Sequence, residues 1–241
     1  MEQIRTRRLT ASNAGAALGL CPYTNRLQAF NRAMGVDRWL GTQFTDAVDR
    51  PRVTKESAMY AFYRSMGMTG NEATRWGTTH ERDGVRAYTE HTGNAVQKTG
   101  VHVHVHPSFS WLSGSPDGLI GTEGMLEVKC PFLFKNDGTR VHKTIPAAYY
   151  MQINLCLEIC GRDWCDFISW APEEYAIYRV TRDNELHQAM AEHYSRFYAA
   201  MQTAALRPPE LSKGEKEEIE ERVRRSMEAH VSYTVWIPAV P

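Results

Sequence analysis

The sequence predicts an α/β domain: a central mixed β-sheet flanked by helices. Three observations carry that expectation. A tight Ser-Pro-Asp-Gly turn within 114–120 leads, after a second short turn, into an extended run over 125–132 that reads as a strand. Apolar residues recur at helical spacing in 73–92, 146–160 and 184–205. Between the last two helices, 164–170 and 175–180 read as an antiparallel strand pair broken by Pro172. A chain of 241 residues can bury a substantial core, and it reads as one such domain with decorations.

Taken in order, the chain opens with Arg5, Arg7 and Arg8 ahead of an Ala-rich stretch. Thr10 or Ser12 is placed to cap a short helix there, whose amino end offers free N–H groups to an anion. The arginines then read as a phosphate site or as three solvated cations. From 36 to 70 the pattern loosens, although apolar residues at 58, 59, 62, 63 and 66 keep helical spacing. That stripe is read as core ahead of a DNA strand-separating wedge, and the segment as an insertion over the cleft.

In the helix expected over 73–92, Trp76, His80, Val85 and Tyr88 supply apolar positions and Gly93 stops it. Glu81 lies one turn past Gly77, with Gly84 three residues on; alone, such a glutamate reads as solvated. Residues 101–106 alternate Val and His. Same-face histidines on a strand spread over about 13 Å, too wide for one tetrahedral zinc with ligands about 2 Å away. The expectation is a scaffold strand with valines inward and histidines outward.

The centre of the sequence is the Ser115-Pro116-Asp117-Gly118 turn and the strand carrying Glu127, Val128 and Lys129. Side chains two apart on a strand share a face, so Glu127 and Lys129 project together, roughly 7 Å apart along the strand. Two carboxylates suit a hard divalent ion that keeps waters and takes a substrate phosphate. Such an ion activates a water for phosphodiester hydrolysis, and a lysine beside it can orient that water and offset developing charge. Taken alone, a Glu-x-Lys is also an ordinary surface salt bridge.

Beyond it, 135–143 is a basic loop, and Pro146 opens a helix with Ile153, Leu157 and Cys160 on its apolar face. Cys156, Cys160 and Cys165 fall short of the four thiolates of an iron–sulfur cluster and read as buried free cysteines. After Pro208 and Pro209, residues 210–230 form a charged helix and 231–241 an apolar tail. The expected organisation is one catalytic domain over 1–207 and a solvated or oligomer-contacting appendage over 208–241.

Lys plus Arg balance Asp plus Glu at 28 each, so any nucleic-acid surface must come from local clustering. Five cysteines in a chain that needs no stapling fit a reducing compartment. With no long apolar run and no signal-like amino terminus, the expectation is a soluble intracellular protein, without a membrane partner. No Gly-x-Gly-x-x-Gly or Walker pattern supports nucleotide-driven action.

Trp76-Gly77 with Glu81, then Ser115-Pro116-Asp117-Gly118, then 126–132 with its Glu-Val-Lys-Cys-Pro-Phe, then Tyr150-Met151-Gln152 occur in an order and spacing that resemble the PD-(D/E)xK nuclease superfamily. They resemble most its lambda exonuclease branch, the YqaJ-like viral recombinase group. The resemblance implies a restriction-endonuclease-like core and a metal-dependent exonuclease acting on double-stranded DNA ends, most commonly 5′ to 3′, leaving 3′ tails for recombination. It implies Mg²⁺ or Mn²⁺, as two ions, held by Glu81, Asp117, Glu127 and the Val128 carbonyl. It also implies Lys129 orienting the water, Gln152 beside the metal, and Arg5 receiving the 5′-phosphate. Ser12, Ser115 and Asn154 join as DNA contacts, Asn154 standing where the family usually has a second glutamine. An annealing protein and a homotrimer are the partners so implied, in a bacterial host's cytoplasm for a phage or in the nucleus for a eukaryotic virus. The rival readings are an endonuclease on the same core, acting on DNA or RNA, and an inactive DNA-end-binding module.

Overall fold

The computed structural model describes residues 7–34, 70–132 and 140–237. Arg5, all but the last residue of the insertion expected over 36–70, and most of the basic loop, at 133–139, lie outside the described residues. In chain order, β1 (Leu9–Thr10) leads through a 3₁₀ turn into α1 (Ala14–Ala17), α2 (Arg26–Met34) and α3 (Gly70–Thr92). Then come β2 (Val96–Gln97), β3 (His102–Val103), β4 (Leu112–Gly114), β5 (Gly118–Ile120) and β6 (Gly124–Lys129). The chain continues with α4 (Ala147–Cys160), β7 (Trp164–Ala171), β8 (Glu174–Thr181), α5 (Asn184–Gln202), α6 (Lys213–His230) and β9 (Val231–Ile237).

The main sheet runs β2-β5-β6-β7-β8-β9, and a small one runs β1-β4-β3. β6 and β7 pair parallel, which requires a crossover, and α4 supplies it. Strand alternation sorts the faces of β6. Leu126 and Val128 join Tyr88 of α3, Ile168 and Trp170 in one cluster, whereas Met125 belongs to the larger core built on α4. This is the expected mixed sheet between helices.

Each face is fastened differently. On the α3 side, a Cβ added at Gly84 would sit 2.5 Å from Val128 Cγ1, so the helix touches the strand only because glycine is there. One turn on, the Tyr88 hydroxyl donates to Asp166 Oδ2 at 2.6 Å, and Arg179 grips both oxygens of that carboxylate. On the other side, α4 is buried nearly all round, at Tyr150, Met151, Ile153, Asn154, Leu155, Cys156, Leu157 and Ile159. The expected single apolar face is therefore the inside of a central helix. A Cβ at Gly15 would lie 2.6 Å from Ala148 Cα, which brings α1 hard against α4.

Three local expectations are corrected. The helix after Thr10 is a 3₁₀ turn plus the four-residue α1, and neither Thr10 nor Asn13 caps it through its side chain; the Thr10 and Ser12 hydroxyls bond each other at 3.0 Å. In 101–106 the alternation fails: His104 is buried and Val105 is 90 % exposed. Pairing to β4 lasts two residues, after which the His106 and Ser108 N–H groups turn onto imidazole nitrogens of His104 and His106.

The third concerns the carboxyl-terminal segment, which is built into the fold. β9 pairs with β8, and Ile219 and Val223 of α6 are buried in the main core. Ser226 donates to Asp183, the cap of α5, and shares a 2.5 Å hydrogen bond with the Tyr150 hydroxyl of α4. Replacing Ile219 by Ala is therefore expected to cost about 2–5 kcal/mol in urea unfolding, whereas Glu217→Ala on the exposed face shifts stability by about 0.5 kcal/mol or less. Equal, small effects would contradict the integral placement of α6.

Candidate functional site

The site forms where β5 stops short of its neighbour. On one strand the N–H and C=O groups of alternate residues face the same edge, and Leu126 O accepts from Asp117 N at 3.1 Å on the β5 edge of β6. The next residue of that parity, Val128, has no strand partner there, and its N–H donates to Asp117 Oδ2 at 2.7 Å. The carboxylate stands in for the missing strand, and the Val128 carbonyl opens on the same edge.

Glu127 sits on the opposite face of β6 from Val128, 1 % exposed. Its Oε1 accepts from Lys129 Nζ and from Gln152 Nε2 of α4. Its Oε2 is buried and has no hydrogen-bond partner among the described residues. A buried carboxylate oxygen left without a partner is costly, and a cation is the group that relieves it.

The charges agree. Burial and then the neighbouring Glu127 push the Asp117 carboxyl up to about 8, against Lys129 and the Val128 N–H, with Glu81 adding a smaller push. Burial works against the ammonium of Lys129, but Glu127 and then Asp117 outweigh it, so its pKa is raised. Burial, followed by Asp117 and Glu81, also drives the Cys130 thiol up to about 12. The corner therefore carries more negative charge than Lys129 offsets.

Asp117, Glu127 and the Val128 carbonyl are all oxygen donors, the class a hard divalent ion such as Mg²⁺ takes, and they are the groups that could hold one here. Glu81 is half-buried on α3, on the other face of the sheet. It reaches Asp117 and Cys130 through space, and among the described residues no three His, Cys, Asp or Glu side chains gather into a preformed cage.

Beside this corner lies a cavity of ≈ 130 Å³ lined by Thr10, Ser12, Ser113, Ser115, Gln152 and Cys156, among others. Ser12, Ser115 and Gln152 thus come together, although they are distant in sequence. Asn154 does not join them. It is buried, its Nδ2 donates to Tyr150 O and its Oδ1 accepts from Asp183 N, so it fastens α4 to the start of α5. Tyr149 was missed: Lys129 Nζ lies 5.0 Å from its ring centre, which holds the ammonium between an aromatic face and Glu127. Its signal was spacing, since it lies three residues before Gln152 on the same helix.

The YqaJ-like viral recombinase domain matches residues 2–163. No curated protein matches the chain. Among solved structures, an alkaline exonuclease, LHK-Exo, from Laribacter hongkongensis is 23% identical with a TM-score of 0.57, covering 95% of this chain and 97% of that one. LHK-Exo in complex with dAMP aligns at 22% identity and a TM-score of 0.54, with the same coverage. These likenesses establish the fold, the mixed sheet flanked by helices that the sequence leads one to expect. Among the described residues no helix is long and apolar enough to cross a membrane.

A carboxyl whose folded pKa is raised binds its proton more tightly when folded, so it withdraws stability as pH climbs from 3.8 to about 8. In chelator, Asp117→Asn is expected to gain stability over the parent across that window, most at the alkaline end, and the gain should shrink when Mg²⁺ is added. A thermal-unfolding series against pH checks this; an Asn variant with no pH-dependent gain contradicts the crowded-carboxylate account.

Proposed function

We propose, from the premise that the chain belongs to the YqaJ-like viral recombinase domain family, that it is a metal-dependent nuclease digesting double-stranded DNA from an end, 5′ to 3′. The observation that carries this reading is the buried Glu127 oxygen that has no partner among the described residues, one strand position from the Val128 carbonyl. Asp117, Glu127 and Val128 would hold Mg²⁺ or Mn²⁺, with Glu81 approaching from α3. When bound, such ions supply Lewis-acid charge to the scissile phosphate and lower the pKa of a water.

The chain's own residues do the rest. Gln152 and Lys129 both donate to Glu127 Oε1, which fixes the carboxylate and leaves Oε2 as the oxygen that would be offered to an ion. Lys129 keeps its proton at neutral pH, since the two carboxylates outweigh burial, and so places an N–H donor toward the attacking water and the charge that develops on phosphate. Tyr149 confines that ammonium from behind. Ser12 and Ser115 present hydroxyls in the cavity beside Gln152, where the phosphates of a DNA end would be positioned, and Arg5 ahead of Thr10 would add the charge that a terminal phosphate requires. The mononucleotide held by LHK-Exo is of the class that end-digestion releases, which supports the same reading. The 3′ tails left behind would pass to an annealing partner.

Linear and covalently closed circular duplexes incubated with Mg²⁺ test the end requirement: nucleotides should be released from the linear DNA alone, and loss of the circle would establish the endonuclease instead. Lys129→Ala should lower kcat by about 10²–10³, the scale of removing one transition-state donor, with DNA binding retained. Undiminished turnover would remove Lys129 from the mechanism.

A further inference from the structure

β9 lies at one edge of the main sheet, and two of its aromatic side chains, Tyr233 and Trp236, are 56 % and 41 % exposed. Three residues apart on a regular strand, they would point to opposite faces. A bulge changes this. Ile177 of β8 pairs with Val235 and the adjacent Tyr178 with Tyr233, so Thr234 is an extra residue in β9. Paired residues share a face, and Tyr178 and Ala176, the partners of Tyr233 and Trp236, both belong to the core on the α4 side. Both exposed rings therefore lie on the sheet face that carries Glu127 and Lys129.

They also lie level with the candidate site. Lys129 pairs with Ser169, Ser169 with Ala176 and Ala176 with Trp236, a row straight across the sheet. Three interstrand spacings put Trp236 about 14 Å from Lys129. Rings bridge the gap. Lys129 Nζ lies over Tyr149, whose ring meets His142 edge-on with centres 5.5 Å apart. The His142 N–H donates to Ser169 Oγ and its carbonyl accepts from the Tyr178 hydroxyl, so this segment is laid over β7 and β8. The next residue, Lys143, is exposed and sets its ammonium 5.7 Å from the centre of the Trp236 ring. Tyr178 in turn meets Tyr233 at 5.3 Å.

Two occupants suit exposed rings on an edge strand. A second copy of the chain would add a strand to β9, but a bulge there breaks the regular ladder that strand addition needs, and edges are commonly blunted in this way. Unpaired DNA uses what is present: bases stack on aromatic faces while a cation beside them takes phosphate. The face is also continuous with the corner where, on the reading above, one strand of a duplex is cut and its complement is left unpaired. We propose that Tyr233, Trp236 and Lys143 form a stacking site for unpaired bases of the strand that is not digested. The inference rests on the end-digestion reading for the source of that strand. Stacking accepts any base, so the site holds the strand without reading its sequence, and it draws that strand away from Asp117 and Glu127.

The test is fluorescence anisotropy of labelled DNA with the purified full chain in EDTA, comparing a blunt duplex with the same duplex carrying a 3′ oligo(dT) tail. The parent should bind the tailed duplex more tightly. Trp236→Ala should weaken tailed binding by about tenfold, the scale of one stacked base, and leave blunt binding unchanged, with Trp236→Phe restoring most of the loss. Lys143→Gln should lower the slope of log Kd against log salt on the tailed duplex by about 0.7, the share of one single-strand phosphate. Should Trp236→Ala fail to fold, photocrosslinking of the parent to a tail carrying 5-iododeoxyuridine is the second measurement, with the crosslink expected at Tyr233 or Trp236. The readout is binding, so a chain that holds the tail yet digests nothing would fail the nuclease reading alone. No preference of the parent for the tail, an equal loss on blunt and tailed DNA in Trp236→Ala, or a crosslink elsewhere would each overturn the stacking site. So would a Trp236→Ala chain that keeps its tail affinity but loses a dimer formed by the parent in light scattering, which would make this edge an interface between copies of the chain.

Discussion

The hydrogen bond from Val128 N–H to Asp117 Oδ2 decides where everything else can be. β6 is the buried middle of a six-stranded sheet, and along most of its length both edges are taken by neighbours. At its carboxyl end β5 has already turned away through Ser115-Pro116-Asp117, and the edge is left open for one residue. A carboxylate fills the donor's need there, and by doing so it is pinned beside the Val128 carbonyl and within the field of Glu127. A buried acid held within the field of a second one has an electrostatic cost, which a divalent cation offsets.

The helices serve that corner from both faces of the sheet. α3 must lie near enough for Glu81 to act on Asp117, and glycine at position 84 permits that approach to Val128, while Tyr88 anchors the same helix onto Asp166. α4 brings Gln152 and Tyr149 onto Glu127 and Lys129. It is itself gripped by α1 at Gly15, by Asn154 against Asp183, and by Tyr150 against Ser226 of α6. A contact that begins at the amino terminus and one that ends near the carboxyl terminus therefore both fix the same amide. This is why the charged final helix is packed into the same core as the strand and helix that carry the site.

Glu127 and Lys129 were legible because strand periodicity alone puts them on one face, and Asp117 because Ser-Pro-Asp-Gly leaves few conformations to a turn. The mixed sheet and the β7–β8 pair were legible from the strand and helix patterns, whereas the strand order and the crossover role of α4 were not, because long-range pairing sets them. Asn154 misled for a geometric reason: residues two apart on a helix point in different directions, so with Gln152 turned onto Glu127 its neighbour was bound to face elsewhere. The Val-His alternation is compatible with either face inward, and only the two-residue pairing with β4 decided for His104. In α6, Ile219, Val223 and Ser226 are too few among charged residues to announce burial, and the polar contacts of Ser226 are made across 43 and 76 residues. Such long-range partners leave no local trace.

The central claim is that one hard divalent ion answers the negative charge gathered at the open end of β6. Crystals grown without metal and then soaked in Mn²⁺ would test it by anomalous scattering. The account predicts a peak with oxygens of both Asp117 and Glu127 and the Val128 carbonyl around it. A peak elsewhere, or one touching only a single one of these groups, would contradict it.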